Sequence, residues 1–237
     1  MGVVSFGLSD IGKARTKNED AWIACPDRQF WAIADGMGGY PGGEVASREA
    51  LQCLKEGVAQ IGTERVEELL QKAIGASHRW VLHVAQNTPG LSGMATTLCC
   101  LLLRNGCAYL AHVGDSRIYR LRNGSLELLT RDHSRLVEWY LGGKLKKRPD
   151  KHLLTRGIGL ESASQSELAV HGLEAGDTFL LCSDGLSDLL KIEVIEKTLL
   201  DSASPEEAGR RLIDEANRRG GHDNITALVV RYQGKLV

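Results

Sequence analysis

Five short stretches of the chain place acidic side chains where the backbone turns. They are Glu19-Asp20, Asp35-Gly36, Asp115 within Gly114-Asp115-Ser116, Asp184-Gly185, and Asp223 just after Gly220-Gly221. Taken singly, each reads as a turn, because Asp-Gly pairs favour tight turns. Taken together they are a set of oxygen donors, and carboxylates gathered in one place repel one another unless a cation lies between them. Hard divalent ions such as Mg²⁺ and Mn²⁺ take oxygen-only ligand sets of this kind. Competing site chemistries find less support. Gly36 to Gly43 never reaches the Gly-Lys-Ser/Thr of a phosphate loop, and Pro41 stands where G-x-G-x-x-G needs its third glycine. No H-E-x-x-H marks a zinc site, and His78 and His83 are five apart on poorly aligned helix faces. None of the six cysteines is followed by Arg at the spacing of a Cys-x5-Arg phosphate cradle.

These carboxylates need rigid elements to aim them. Phe30 to Ala34 is a short apolar run ending at Asp35, and Thr178 to Cys182 is another that stops just before Asp184. Apolar residues at helical spacing predict an amphipathic helix from Glu44 to Ile61. A second is predicted from Thr63 toward Ala85, with Thr63 as its cap. The period then shortens. Ala95–Leu103, Cys107–Val113, Arg117–Leu121 and Leu126–Leu129 are separated by Asn105-Gly106, by the Gly114-Asp115-Ser116 segment and by Asn123-Gly124, and Asn-Gly is a strong hairpin signal. They read as an antiparallel meander. Leu186–Leu200 reads as one helix. Ser204-Pro205-Glu206-Glu207 opens the last one with a cap, a first-turn proline and a capping box, and Gly220-Gly221 closes it. A final strand, Ile225–Tyr232, follows. Strands and helices in blocks predict an α+β fold with mostly antiparallel sheet.

The composition narrows the function class. The chain has 237 residues, with 29 basic against 30 acidic side chains and a net charge of −1, so no bulk basic surface draws it to nucleic acid or membrane. Its longest apolar run, Leu98–Leu103, is far short of the roughly 20 residues that cross a bilayer. The expectation is one cytoplasmic domain over 1–237, monomeric, with reduced thiols and no leader peptide or membrane anchor.

At these residues the sequence closely resembles the bacterial metal-dependent Ser/Thr protein phosphatases of the protein phosphatase 2C type. The matching stretches are Gly12–Asp20 (GKARTKNED), Ala34–Gly39 (ADGMGG), Gly43–Ser47 (GEVAS), Gly93–Thr97 (GMATT) and Gly114–Arg117 (GDSR). They continue with Leu129–Ser134 (LTRDHS), Leu154–Arg156 (LTR), Cys182–Leu186 (CSDGL) and Asp223-Asn224. The resemblance implies a four-layer αββα sandwich, two antiparallel sheets between helices, with a metal centre in a cleft at one end. It implies that Asp35 bridges two tightly bound Mn²⁺ or Mg²⁺ ions. Asp184 and Asp223 would complete one ion's ligands, and Glu19, the Gly36 carbonyl and Asp20 would serve the other. Asp115 and Asp188 would hold a third, weaker ion, and Arg15 would clamp the substrate phosphate with its fork of donors. The implied reaction is hydrolysis of phosphoserine and phosphothreonine in proteins by a metal-activated water, opposing a bacterial Ser/Thr kinase.

Two departures from the family pattern stand out. Tyr40 takes the place of the usual histidine after Asp-Gly-Met-Gly-Gly, and would donate only weakly to the leaving oxygen at neutral pH. The segment after Asp132-His133-Ser134 is a few residues short. It carries Lys144, Lys146, Lys147, Arg148 and Lys151, either a solvated face or a surface that steers phosphoproteins toward the metals. The alternative function is a phosphoprotein-binding regulatory module of the same fold with little turnover, and Tyr40 is the one feature that favours it.

Overall fold

The computed structural model describes residues 2–37, 42–60, 65–142, 147–150, 153–160 and 165–234. Its first half runs β1 (Val3–Asp10), β2 (Asp20–Cys25), β3 (Phe30–Asp35), α1 (Gly43–Ala59), α2 (Val66–Asn87), β4 (Leu98–Arg104) and β5 (Cys107–Val113). Then come β6 (Arg117–Arg122), β7 (Ser125–Leu128), α3 (Arg135–Tyr140), β8 (Glu167–Gly172) and β9 (Thr178–Cys182). The chain finishes with α4 (Asp184–Ser187), α5 (Ile192–Leu200), α6 (Pro205–Arg218) and β10 (Ile225–Tyr232).

The apolar strands dictate the layers. In β4, Leu98, Cys100 and Leu102 pack under α1 and α2, while Cys99, Leu101 and Leu103 face the other way. A strand with both faces buried must lie between two apolar surfaces, so β4 has helices on one side and a second sheet on the other. The same division holds in β10, where Ile225, Ala227 and Val229 pack under α5 and α6 while Leu228 and Val230 meet the opposite sheet. Two five-stranded antiparallel sheets result, in the orders β1-β10-β9-β6-β7 and β2-β3-β4-β5-β8. This is the αββα sandwich that the resemblance implies.

Both Asn-Gly pairs form two-residue hairpin loops. Arg104 pairs with Cys107 and Arg122 with Ser125. All four loop residues have positive φ, at 52° and 72° in the first loop and 51° and 81° in the second, as a twist-matched turn requires. The four strands are not one meander, however. The hairpin β4–β5 belongs to one sheet and β6–β7 to the other, and the chain crosses between them at Gly114-Asp115-Ser116. Alternation within a strand cannot reveal this, because β5 and β6 on either side of the crossing both carry buried residues along their lengths, whichever sheet they join.

Two helix boundaries and one capping contact also differ from expectation. The second helix begins at Val66 behind Arg65, with Glu67 and Glu68 in its first turn, and Thr63 lies outside the described residues. The stretch from 186 to 200 divides into α4 and α5. Buried Leu186 and Leu190 are four apart, as are Ile195 and Leu199, but the step between the pairs is five, so the helix must restart to keep both pairs inward. In α6 the Glu207 N–H donates to Ser204 Oγ at 3.1 Å, while Glu207 Oε2 accepts from the N–H of Ala203 rather than Ser204, at 2.9 Å.

Candidate metal centre

One end of the sandwich gathers the carboxylates. Asp20 opens β2 and Asp35 closes β3, and the two are directly opposite each other in the antiparallel register. Facing like charges in such a pair destabilise the sheet unless something neutralises them. Asp115 arrives from the crossing between sheets, Asp184 from the first residue of α4, and Asp223 from the loop before β10. The latter two therefore sit beyond their strands rather than within them. A cavity of about 260 Å³ is lined by Arg15, Asp35, Gly36, Asp115, Asp184 and Asp223, together with Met37, Thr97, Leu153, Leu154 and Leu160.

Hydrogen bonds to backbone and hydroxyl groups lock this arrangement. The Asp35 N–H donates to Thr97 Oγ1 at 2.9 Å, and the Asp35 carbonyl accepts from Thr96 Oγ1 and from the Thr97 N–H, both at 2.8 Å. Asp20 Oδ2 accepts from Ser183 Oγ at 2.8 Å and Thr226 Oγ1 at 2.6 Å, which ties one sheet's hairpin to the other sheet. Glu19 lies in a slot bounded by glycine. A Cβ on Gly43 would come within 2.8 Å of Glu19 Oε1, and one on Gly36 would collide with the Gly43 carbonyl. Asn224 holds this loop in place: its Oδ1 accepts from the Glu19 N–H at 2.8 Å, and its Nδ2 donates to the carbonyls of Ile11 (3.0 Å) and Lys17 (2.9 Å).

The electrostatics follow from burial and crowding. Desolvation, then the charges of Asp20, Asp184, Asp115 and Asp223, pushes Asp35 well above the ordinary carboxylate range. Asp115 is pushed up to about 8 by desolvation and by Asp184, Asp132 and Asp188. Asp20 rises to about 6, mainly through burial, and Glu19 rises through burial and the nearby Glu44. Arg15 donates from Nη2 to Asp223 Oδ2 at 2.7 Å, and this bond strengthens its hold on its proton.

These residues fit a divalent cation. The donors are all oxygen, they belong to both sheets, and Asp20 Oδ1 is buried with no hydrogen-bond partner. Asp188 lies apart from the first cavity and lines a second of about 250 Å³, whose wall also includes Asp115 and Asp184. Lys147 and Arg148 are exposed and line neither cavity. Tyr40 and Lys146, with Lys144 and Lys151, lie outside the described residues.

Comparison with known proteins gives the chain's family. Residues 12–215 match the family model described as protein phosphatase 2C. The chain belongs to the protein phosphatase 2C family. It is thus a metal-dependent Ser/Thr protein phosphatase by class. The serine/threonine phosphatase stp of Listeria innocua is 36% identical over 234 residues, covering 94% of this chain and 93% of that one. The crystal structure of the serine/threonine phosphatase PstP/Ppp of Mycobacterium tuberculosis superposes with a TM-score of 0.89 at 33% identity, covering 99% of this chain and 100% of that one. A structure of the PstP catalytic domain in complex with two manganese ions gives 0.88, also at 33% identity, covering 98% and 99%.

This phosphatase also carries a cluster that sequence spacing conceals. Candidate ligand atoms of His112, His133 and Glu167 lie within 4.8 Å of one another. Two guanidinium groups already serve the carboxylate: Arg131 at 2.9 Å and Arg156 at 3.7 Å. His133 instead anchors the crossing loop. Its N–H donates to the Gly114 carbonyl at 2.9 Å, and its Nδ1 accepts from the Gly114 N–H at 3.2 Å, next to Asp115. Among site-shaping residues, Asn224, Thr97, Ser183, Thr226 and His133 had no role assigned from sequence. Hydroxyl and amide side chains at strand ends carry no spacing signal.

Proposed function

We propose that this phosphatase hydrolyses phosphoserine and phosphothreonine in proteins at a binuclear Mn²⁺ or Mg²⁺ centre held by Glu19, Asp20, Asp35, Gly36, Asp184 and Asp223. Asp115 and Asp188 would hold a third, weaker ion. The observation that carries the reading is the convergence of carboxylates from both sheets on Asp35, which lies directly opposite Asp20 and lines one cavity with Asp115, Asp184 and Asp223. A fold keeps such a group only when a ligand offsets the repulsion. Cations bound there supply Lewis acidity toward the phosphoryl group and an activated water.

The chain's own residues do the rest. Arg15, with one donor held by Asp223, offers the remainder of its fork to phosphate oxygens. Thr96 and Thr97 fix the Asp35 backbone, so its carboxylate is aimed before ligand arrives. Met37, Leu154 and Leu160 form an apolar wall that limits water in the cavity. Direct attack by water suits this lining, because the described residues around the cavity include no Cys, His or Ser. Burial pushes the Cys100 and Cys182 thiols up to about 12, which leaves them un-ionised and inert. The substrates would be phosphoproteins made by Ser/Thr kinases, the reaction class that forms this ester, and one monomeric catalytic domain over 1–237 would suffice.

The test is phosphate release from a phosphothreonine peptide with Mn²⁺, with and without EDTA, for wild type and Asp184→Asn. Release that needs metal and falls at least 100-fold in the variant supports the reading. A folded, Mn²⁺-binding wild type that releases nothing supports the phosphoprotein-binding module instead.

A further inference from the structure

Helix α2 turns a polar ring toward the core. Ile74, His78, Val81 and Ala85 are buried at steps of four and three, so His78 stands on the apolar stripe, only 8% exposed. A buried ring nitrogen needs a hydrogen-bond partner, and Nδ1 of His78 has one. It accepts from the Gly159 N–H at 3.2 Å. A backbone N–H can only donate, so Nδ1 is unprotonated and the neutral ring carries its proton on Nε2. Burial, with Arg79 beside it, lowers the proton affinity of His78 and favours that neutral form.

The bond reaches the cleft through a short segment, residues 157–160. Ile158 pairs with Thr96 in both directions: the Thr96 N–H donates to the Ile158 carbonyl at 2.9 Å, and the Ile158 N–H to the Thr96 carbonyl at 2.8 Å. Gly159 has a φ of +95°, and a Cβ there would stand 2.6 Å from the Met94 carbonyl oxygen and 2.8 Å from Val81. Only glycine lets the segment press this closely on α2. Leu160 follows directly and lines the first cavity with Met37 and Leu154. The Asp35 backbone is held separately, by two bonds with Thr97 that do not involve the segment.

We propose that His78 is a positioning residue for the substrate: through the Gly159 N–H it fixes residues 157–160, and thereby the place of Leu160 in the cleft wall. One cavity holds Leu160 and the carboxylates, so a phosphopeptide whose phosphorus reaches the carboxylates lays its neighbouring atoms along this wall. The inference rests on the phosphatase reading and names a residue that governs how that site takes its peptide. Without the acceptor, the buried Gly159 N–H is left unpaired, a cost the segment escapes by moving. Leu160 moves with it, so peptide binding weakens while the chemistry at Asp35 is kept.

The experiment compares His78→Leu, which keeps bulk and removes the acceptor, with His78→Asn, whose Oδ1 can stand where Nδ1 stands. Leu160→Ala and its double variant with His78→Leu complete a cycle. With a phosphothreonine peptide and Mn²⁺, His78→Leu should raise KM about fivefold and leave kcat and Mn²⁺ affinity within twofold. His78→Asn should stay within twofold of wild type in all three. Leu160→Ala should also raise KM, and the double variant should be no worse than the larger single effect, because both changes act on one contact. Amide exchange needs no turnover: the Gly159 N–H should exchange at least tenfold faster in His78→Leu than in His78→Asn. Unchanged KM in His78→Leu overturns the proposal, as do additive effects in the double variant, equal impairment in His78→Asn, or a loss confined to kcat. Should His78→Leu fail to fold, His78→Ala takes its place in each comparison. Should wild type hydrolyse no peptide, the phosphatase reading fails on its own. The role of His78 is then judged by the amide exchange and by phosphopeptide Kd in the same variants.

Discussion

At the residue scale, Asp35 does most to define this protein. Directly opposite Asp20 and close to Asp184, Asp115 and Asp223, its charge is unfavourable in the folded chain without a counter-ion. Asp35→Asn removes that charge at nearly constant volume. In chelator the variant should melt above wild type by roughly 2–4 °C for each kcal/mol of relieved repulsion, in a chain of this size. In Mn²⁺ the order should reverse, because the variant loses the stabilisation that ligand binding confers. Calorimetry with and without EDTA checks both arms, and a variant that melts below wild type in chelator would contradict the repulsion argument. The carboxylates themselves were legible in the sequence, since Asp beside Gly at the end of an apolar run is a strong pattern. Asn224 was not, because nothing in its spacing shows that one amide reaches Ile11, Lys17 and Glu19 at once.

At the element scale, that amide joins the 11–19 segment, which bears Arg15 and Glu19, to the loop that bears Asp223. Asn224→Ala leaves two carbonyls and one N–H without partners, and loss of such a buried network costs on the order of 2–3 kcal/mol. The variant should also bind Mn²⁺ about tenfold more weakly and show a raised KM for phosphopeptide, as positioning changes around metal ligands do. A drop in melting temperature with unchanged Mn²⁺ affinity and KM would reduce Asn224 to a purely structural role. Strand limits were well predicted where chemistry is local: both Asn-Gly hairpins form, and β9 and β10 match the predicted runs. Sheet membership was not predicted, because Asp115 sits at a crossing that alternation cannot distinguish from a meander. The edge strand β8, part-exposed from Glu167 to Gly172, had only the three-residue apolar run Leu168–Val170 to announce it.

For the whole molecule, pH acts in two opposite directions. His133 has an ordinary value near 6.5 and is lowered to about 4, chiefly by burial. Between those values the unfolded chain takes a proton that the folded chain refuses. The stability His133 contributes is present above about 6.5 and is lost as pH falls toward 4, by at most roughly 3 kcal/mol. Asp115 behaves in reverse: with its value raised to about 8, the metal-free fold holds a proton the unfolded chain has released, so stability falls as pH rises from about 4 to 8. Denaturant titrations across pH should therefore show an acid-side loss in Mn²⁺ that flattens in His133→Asn, whose Oδ1 can still accept from Gly114. In chelator an alkaline-side loss should appear. Identical profiles with and without Mn²⁺ would contradict the Asp115 assignment, and an acid-side loss unchanged in His133→Asn would contradict that for His133.

The strand order has a consequence for how activity first arises. The earliest strand, β1, pairs with the last, β10, and β10 lies between β1 and β9. A chain emerging from the ribosome has made Glu19, Asp20 and Asp35 long before Asp223 and the strand that anchors it. Until then β1 has no neighbour to add to, and the acidic loops of the earlier sheet have nothing to close against. On the proposed ligand set the site is therefore incomplete until Asp223 has been made and β10 has taken its place between β1 and β9.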